Sequence, residues 1–176
     1  MELAPGTVRT NLTKDYGGKY LTFNLGRVDY GIVITRVREI IGVTEITAMP
    51  DVPDYIQGVI NLRGRVIPIL DLRMKFGMEE KEHDDRTCII VVDVPRATGV
   101  TLVGMLVDSV AEVMNIASQE IEPPPEFGAT GDDDCIIGIG KVKGRLKILL
   151  DVDHVIGGIL AATLEQREES APEGVV

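Results

Sequence analysis

Tryptophan is absent from these 176 residues, and the other aromatics are three phenylalanines and four tyrosines. Proteins that hold single-stranded nucleic acid stack its bases on aromatic platforms along a basic groove. Such platforms are few here, and a net charge of −10 has the wrong sign for neutralising phosphate. The same charge opposes docking on an anionic membrane surface. No apolar run reaches the ~20 residues that cross a bilayer. Met1 to Lys19 lack the charged start, apolar core and cleavage site of a signal peptide. A cytoplasmic chain is expected. The two cysteines, Cys88 and Cys135, suit a reducing compartment and read as core residues.

Catalytic constellations are missing too. The only histidines, His83 and His154, are far apart in sequence, and no spacing resembles a zinc site. Asp132-Asp133-Asp134 lacks the alternating oxygen ligands of a calcium loop and reads as a solvated acidic loop. Gly138-Ile139-Gly140 lies in an expected strand and does not open a helix, so it is no dinucleotide fingerprint. No nucleophile–base pair, metal set or phosphate cradle stands out. The chain therefore reads as an interaction module without cofactor or metal.

What is present is an internal repeat. Asn61-Leu62-Arg63-Gly64-Arg65-Val66-Ile67-Pro68-Ile69-Leu70-Asp71-Leu72 returns as Lys141-Val142-Lys143-Gly144-Arg145-Leu146-Lys147-Ile148-Leu149-Leu150-Asp151-Val152. Gly58 aligns with Gly138, Gly64 with Gly144 and Asp71 with Asp151. Upstream, Tyr30-Gly31-Ile32 aligns with Val103-Gly104-Met105, Val37 with Val110 and Glu39 with Glu112. Pro53-Asp54-Tyr55 is matched to Pro125-Glu126-Phe127. Two long units are too few for a solenoid and predict a pair of similar small barrels. Function is expected where the copies differ.

Local patterns agree with a mostly β chain. Leu21, Phe23 and Leu25 alternate with polar neighbours, the period of a half-buried strand. Cys88 to Val92 is a continuous apolar run, expected to be buried on both faces and to pair with Thr101 to Val107. Pro68 lacks a donor, which predicts an edge or bulged strand. Short helices are expected after Thr35 through Val37 and Ile40, after Asp71 with Gly77 ending it, and from Asp153 to Ile156. Asp71 and Asp151 are expected to cap the helices that follow them.

These residues together resemble the CheW family of bacterial chemotaxis coupling proteins. The likeness runs from about Lys19 to Ile156. It rests on Tyr30-Gly31-Ile32 leading to Val37, Glu39 and Ile40, on Gly58 to Gly64 with Ile67-Pro68-Ile69, and on Asp71-Leu72-Arg73. Val103-Gly104, Val107-Asp108 and Pro125-Glu126-Phe127 complete it. The resemblance implies two five-stranded, SH3-like β-barrels packed together, with a few short helices. The first barrel is expected at about 19–85 and the second at about 86–158, with terminal strands able to cross. Residues 1–18 read as a flexible segment, and 159–176 as a helical extension or a flexible tail.

The resemblance also implies a non-enzymatic adaptor that is recruited to membrane-associated receptor arrays. Its partners would be the cytoplasmic tip of chemoreceptors and the regulatory domain of a CheA-type histidine kinase. A related chemosensory pathway, such as surface motility, is the alternative. Carried over by motif, Val37, Glu39, Ile40, Gly58, Arg63 and Val113 would face the receptor, and Phe127 would meet the kinase. A helix laid in an apolar groove is a recurrent mode of recognition. Taken on spacing alone, Val37 and Ile40 read equally well as core, and Arg63 as a solvated turn residue.

Overall fold

The computed structural model describes residues 15–97, 99–125 and 135–156. They form β1 (Gly18–Leu25), β2 (Val28–Val33), β3 (Val37–Gly42), β4 (Ile56–Leu62), β5 (Arg65–Asp71), β6 (Cys88–Arg96), β7 (Gly99–Val107), β8 (Ser109–Ile116), β9 (Ile121–Glu122), β10 (Ile136–Val142) and β11 (Arg145–Leu150). The helix α1 spans Leu72–Lys75, and residues 152–156 form one further helical turn. One sheet runs β8-β1-β2-β11-β10-β9 and the other β3-β6-β7-β5-β4.

The repeat governs this topology by strand exchange. Each sheet takes its first two hairpin strands from one copy and the rest from the other. Thus β1 and β2 join β8, β10 and β11, while β6 and β7 join β3, β4 and β5. Sheet membership therefore crosses the boundary expected near residue 85. The irregularities match as well. Register shifts fall between Val37 and Glu39 and between Val110 and Glu112, and again between Ile56 and Gly58 and between Ile136 and Gly138. Parallel pairing joins Ile69 to Gly104 in one sheet and Leu149 to Gly31 in the other.

Strand alternation divides the apolar residues among three clusters. Ile67, Ile69, Ile89 and Val91 fill the interior of the five-stranded sheet, and Tyr20, Ile116, Val142 and Leu149 that of the other. The opposite faces meet in a joint core, where Leu21, Phe23 and Leu25 pack with Leu70, Ile90 and Val92. The run from Cys88 is thus buried on both faces, as its continuous hydrophobicity predicts. Cys135 is buried, and Cys88 packs against the joint core, where burial raises its thiol pKa.

Both hairpins built by the repeated motif turn through two residues with positive φ: Arg63 at 53° with Gly64 at 86°, and Lys143 at 55° with Gly144 at 78°. That geometry matches the twist of the flanking strands, and a glycine accepts it without a Cβ clash. Asp71 caps α1 by accepting from the Arg73 amide at 2.9 Å, and Asp151 accepts from the Asp153 amide at 3.0 Å. The Asp71 amide donates to the Tyr55 carbonyl and the Asp151 amide to the Cys135 carbonyl, each at 2.7 Å. Cys135, by this criterion, stands where Tyr55 stands in the first copy.

Two expectations need correction. Pro68 lies in β5, which is neither an edge strand nor itself bulged; the register shift is on its partner β4. Its partner Val59 turns its own amide and carbonyl to Thr47, at 2.9 and 2.8 Å, so it asks no donor of Pro68. The turn at Thr35 is a 3-10 turn, Ile34–Arg36, and Val37 already begins β3. Val37 and Ile40 are therefore strand residues, with Val37 packed on the joint core and Ile40 exposed.

Candidate functional site

In the five-stranded sheet β3 and β4 are the two edge strands. Beyond β3 the chain crosses to β4, where Thr47 pairs with Val59. This crossing requires Gly58, whose φ is 145°. A Cβ there would lie 2.1 Å from the Thr47 carbonyl oxygen. The close backbone approach foreseen at Gly58 is thus made by the chain's own Thr47. In the six-stranded sheet β9 makes the equivalent pairing with β10.

Across the first seam Arg63 reaches from the β4–β5 turn to Glu39 on β3. The guanidinium donates both Nη atoms to the two carboxylate oxygens, at 2.6 and 2.8 Å. This forked bond lowers the pKa of Glu39 and raises that of Arg63. The repeat equivalents, Glu112 and Lys143, form no ion pair among the described residues. The copies differ here in a charged group at the surface.

Ile40 on β3 is 44% exposed and its repeat equivalent Val113 on β8 is 49% exposed. Each sits on an edge strand of its sheet, just past an equivalent bulge. Among the sites expected from sequence, Val37 lies inward on β3, Glu39 and Arg63 meet, Gly58 supports the seam beside them, and Ile40 and Val113 present apolar surface. Phe127 lies outside the described residues.

Two further exposed apolar side chains escaped the sequence reading: Val66, 69% exposed, and Leu146, 60% exposed. They are repeat equivalents, each two residues past its turn glycine. Val28, the first residue of β2, and Val100, the second of β7, are also exposed, on the strands paired in parallel with β11 and β5. The signal was available. The aligned motifs place an apolar residue directly after the arginine that leaves each turn glycine, Arg65 and Arg145.

Comparison with known proteins decides the family. Residues 19–159 match the model of the CheW-like domain. The chain belongs to the CheW-like family. The chemotaxis protein CheW of Klebsiella aerogenes is 38% identical over 140 residues, covering 80% of this chain and 82% of that protein. CheW of Rhizobium meliloti is 35% identical over 139 residues, covering 79% and 87%. The crystal structure of the scaffolding protein TtCheW from Thermoanaerobacter tengcongensis superposes with a TM-score of 0.68 at 33% identity, covering 77% of this chain and 89% of that one. The two sheets are accordingly SH3-like barrels packed together, and this CheW-like chain is a chemotaxis scaffold or adaptor.

Among the described residues no helix is long and apolar enough to cross a membrane. No group of metal-binding side chains is found among them either.

Proposed function

We propose that this protein joins the cytoplasmic tip of a chemoreceptor to the regulatory domain of a CheA-type histidine kinase, without turnover of its own. One observation carries the reading. Ile40 and Val113 are exposed apolar residues on edge strands of different barrels, and beside Ile40 on β3 stands Glu39, held by Arg63. A receptor tip is a helical hairpin, and it would lay apolar side chains on Ile40 and Val113 with the Glu39–Arg63 pair fixing the strand beneath. Val37 and Gly58 would shape this face from behind. Phe127 would contact the kinase. The pairing of Val66 with Leu146 supports a link with more than one neighbour, because each barrel then has an apolar face for a partner built on the same fold. The protein would work in the cytoplasm, drawn to the receptor array by these contacts.

Titration calorimetry against a soluble receptor-tip fragment and against the kinase regulatory domain tests this. Saturable binding to each is expected. Ile40→Asp and Val113→Asp should each abolish receptor binding and leave kinase binding intact. Normal receptor binding by both variants would overturn the placement. Failure of the unaltered protein to bind either partner would sink the adaptor role.

A further inference from the structure

At the β10–β11 hairpin the surface opens into a cavity of about 570 Å³. Val28, Ile136, Leu146 and Ile148 form its apolar wall, and the exposed Arg27 and Arg145 also line it. Apolar concavity with a few placed charges is the usual character of a binding cleft. The charge is unusual for this chain. Asp29 is shared between Arg145 at 3.0 Å and Lys147 at 2.9 Å, and Arg27 makes no ion pair among the described residues. Counted over the described residues, the cleft is thus locally positive on a protein of net charge −10.

An occupant with apolar anchors and carboxylates would complement it, and the chain carries one. Residues 157–176, outside the described part, include Ile159, Leu160 and Leu164 followed by Glu165, Glu168 and Glu169. That segment follows Ile156, which belongs to the joint core against which Ile136 and Ile148 also pack. Extended chain gains ~3.3 Å per residue, so Leu164 can lie up to ~26 Å from Ile156. We propose that the cleft is the docking site of the chain's own segment 159–169. Leu160 and Leu164 enter between Leu146 and Val28, and the glutamates face Arg27 and Arg145. The cleft includes the Leu146 face that the adaptor reading gives to a partner, so the segment would compete with a partner there. The contact itself does not depend on that reading.

The absence of tryptophan makes the test direct. Leu160→Trp and, separately, Leu164→Trp in the full chain each create a single tryptophan, excited selectively over the four tyrosines at the red edge of its absorption. Expected are blue-shifted emission and acrylamide quenching several-fold weaker than for free tryptophan, independent of protein concentration. Adding Leu146→Asp or Arg27→Glu should move both readouts to solvent values while circular dichroism shows the fold retained. Solvent-like emission from both reporters in the otherwise unaltered chain would overturn the proposal. So would shielding that neither second substitution disturbs, which would place the segment elsewhere. Shielding that grows with concentration would assign the cleft to a second copy and overturn it equally.

Discussion

Arg73 and Asp108 form a largely buried ion pair, Nη1 to Oδ2 at 2.5 Å, and the same oxygen accepts the Gly26 amide at 2.7 Å. Arg73 belongs to α1, Asp108 follows β7, and Gly26 lies in the β1–β2 turn of the other sheet. Three segments from both barrels therefore converge on one carboxylate. Both charged residues belong to the motifs that carry the family resemblance, and here they hold architecture. Asp108→Ala removes the ion-pair partner of a largely buried guanidinium, which among the described residues keeps only its bond to the Glu79 carbonyl, and is expected to cost about 3 kcal/mol. Thermal unfolding should show a loss of roughly 10 °C. An unchanged melting temperature would deny the pair its linking role.

A second buried pair is open to replacement. Asp29 and Lys147 are register partners in the β2–β11 ladder, with side chains 7% and 11% exposed. The equivalent positions in the other barrel are Leu102 and Ile67, both buried apolar residues. Buried ion pairs often yield stability when exchanged for apolar residues of similar volume. Asp29→Leu combined with Lys147→Ile should leave stability unchanged or raise it, whereas Asp29→Leu alone should lower it by about 3 kcal/mol. Denaturant titration of the three proteins decides this.

The same pair sets an acid limit. Burial alone would raise the Asp29 pKa, but the hydrogen bond from Lys147 and the charges of Lys147 and Arg145 outweigh it, so the pKa lies below 3.8. The folded state thus keeps its carboxylate ionised where the unfolded chain takes up a proton. The contribution is complete above the unfolded value and fades as pH falls below it towards the folded value. Stability measured from pH 5 down to 2 should decline less steeply in the Leu–Ile double variant. Parallel curves would exclude Asp29 as a source.

Gly58 permits a test of the seam. Its φ of 145° and the 2.1 Å approach to the Thr47 oxygen leave no place for a Cβ. Gly58→Ala is expected to cost about 2 kcal/mol or more, from backbone strain and the displaced crossing. Hydrogen exchange at the Thr47 and Val59 amides should accelerate before that of β6 and β7. Uniform acceleration would show that the seam opens only with the whole barrel.

Much of this was legible in the sequence, for a physical reason. The Arg63-Gly64 and Lys143-Gly144 turns demand φ values that few residues accept, so the hairpins announced themselves twice. Asp71 and Asp151 end apolar runs where a helix needs an acceptor. Strand exchange was less accessible, because hydrophobic alternation records that a face is buried and not which copy buries it. Spacing misled at Val37 and Ile40. Three residues apart suits one helical face, whereas on β3 the two differ, Val37 packed on the core and Ile40 exposed. Pro68 misled because the rule concerns a missing donor, and nothing in the sequence tells that Val59 faces Thr47.

The Glu39–Arg63 pair separates bracing from contact. Both side chains are at the surface, where an ion pair adds little to stability, so Glu39→Arg and Arg63→Glu should hardly move the melting temperature. On the adaptor reading each should weaken receptor-tip binding roughly tenfold, as loss of a key interface residue does. The double reversal, Glu39→Arg with Arg63→Glu, rebuilds the forked bond with its ends exchanged. If the pair acts by holding β3 against the turn, binding returns in the double variant although neither residue has its original charge. Binding is expected to return. Persistent weakness in a folded double variant would show instead that Arg63 or Glu39 touches the receptor through its own charge.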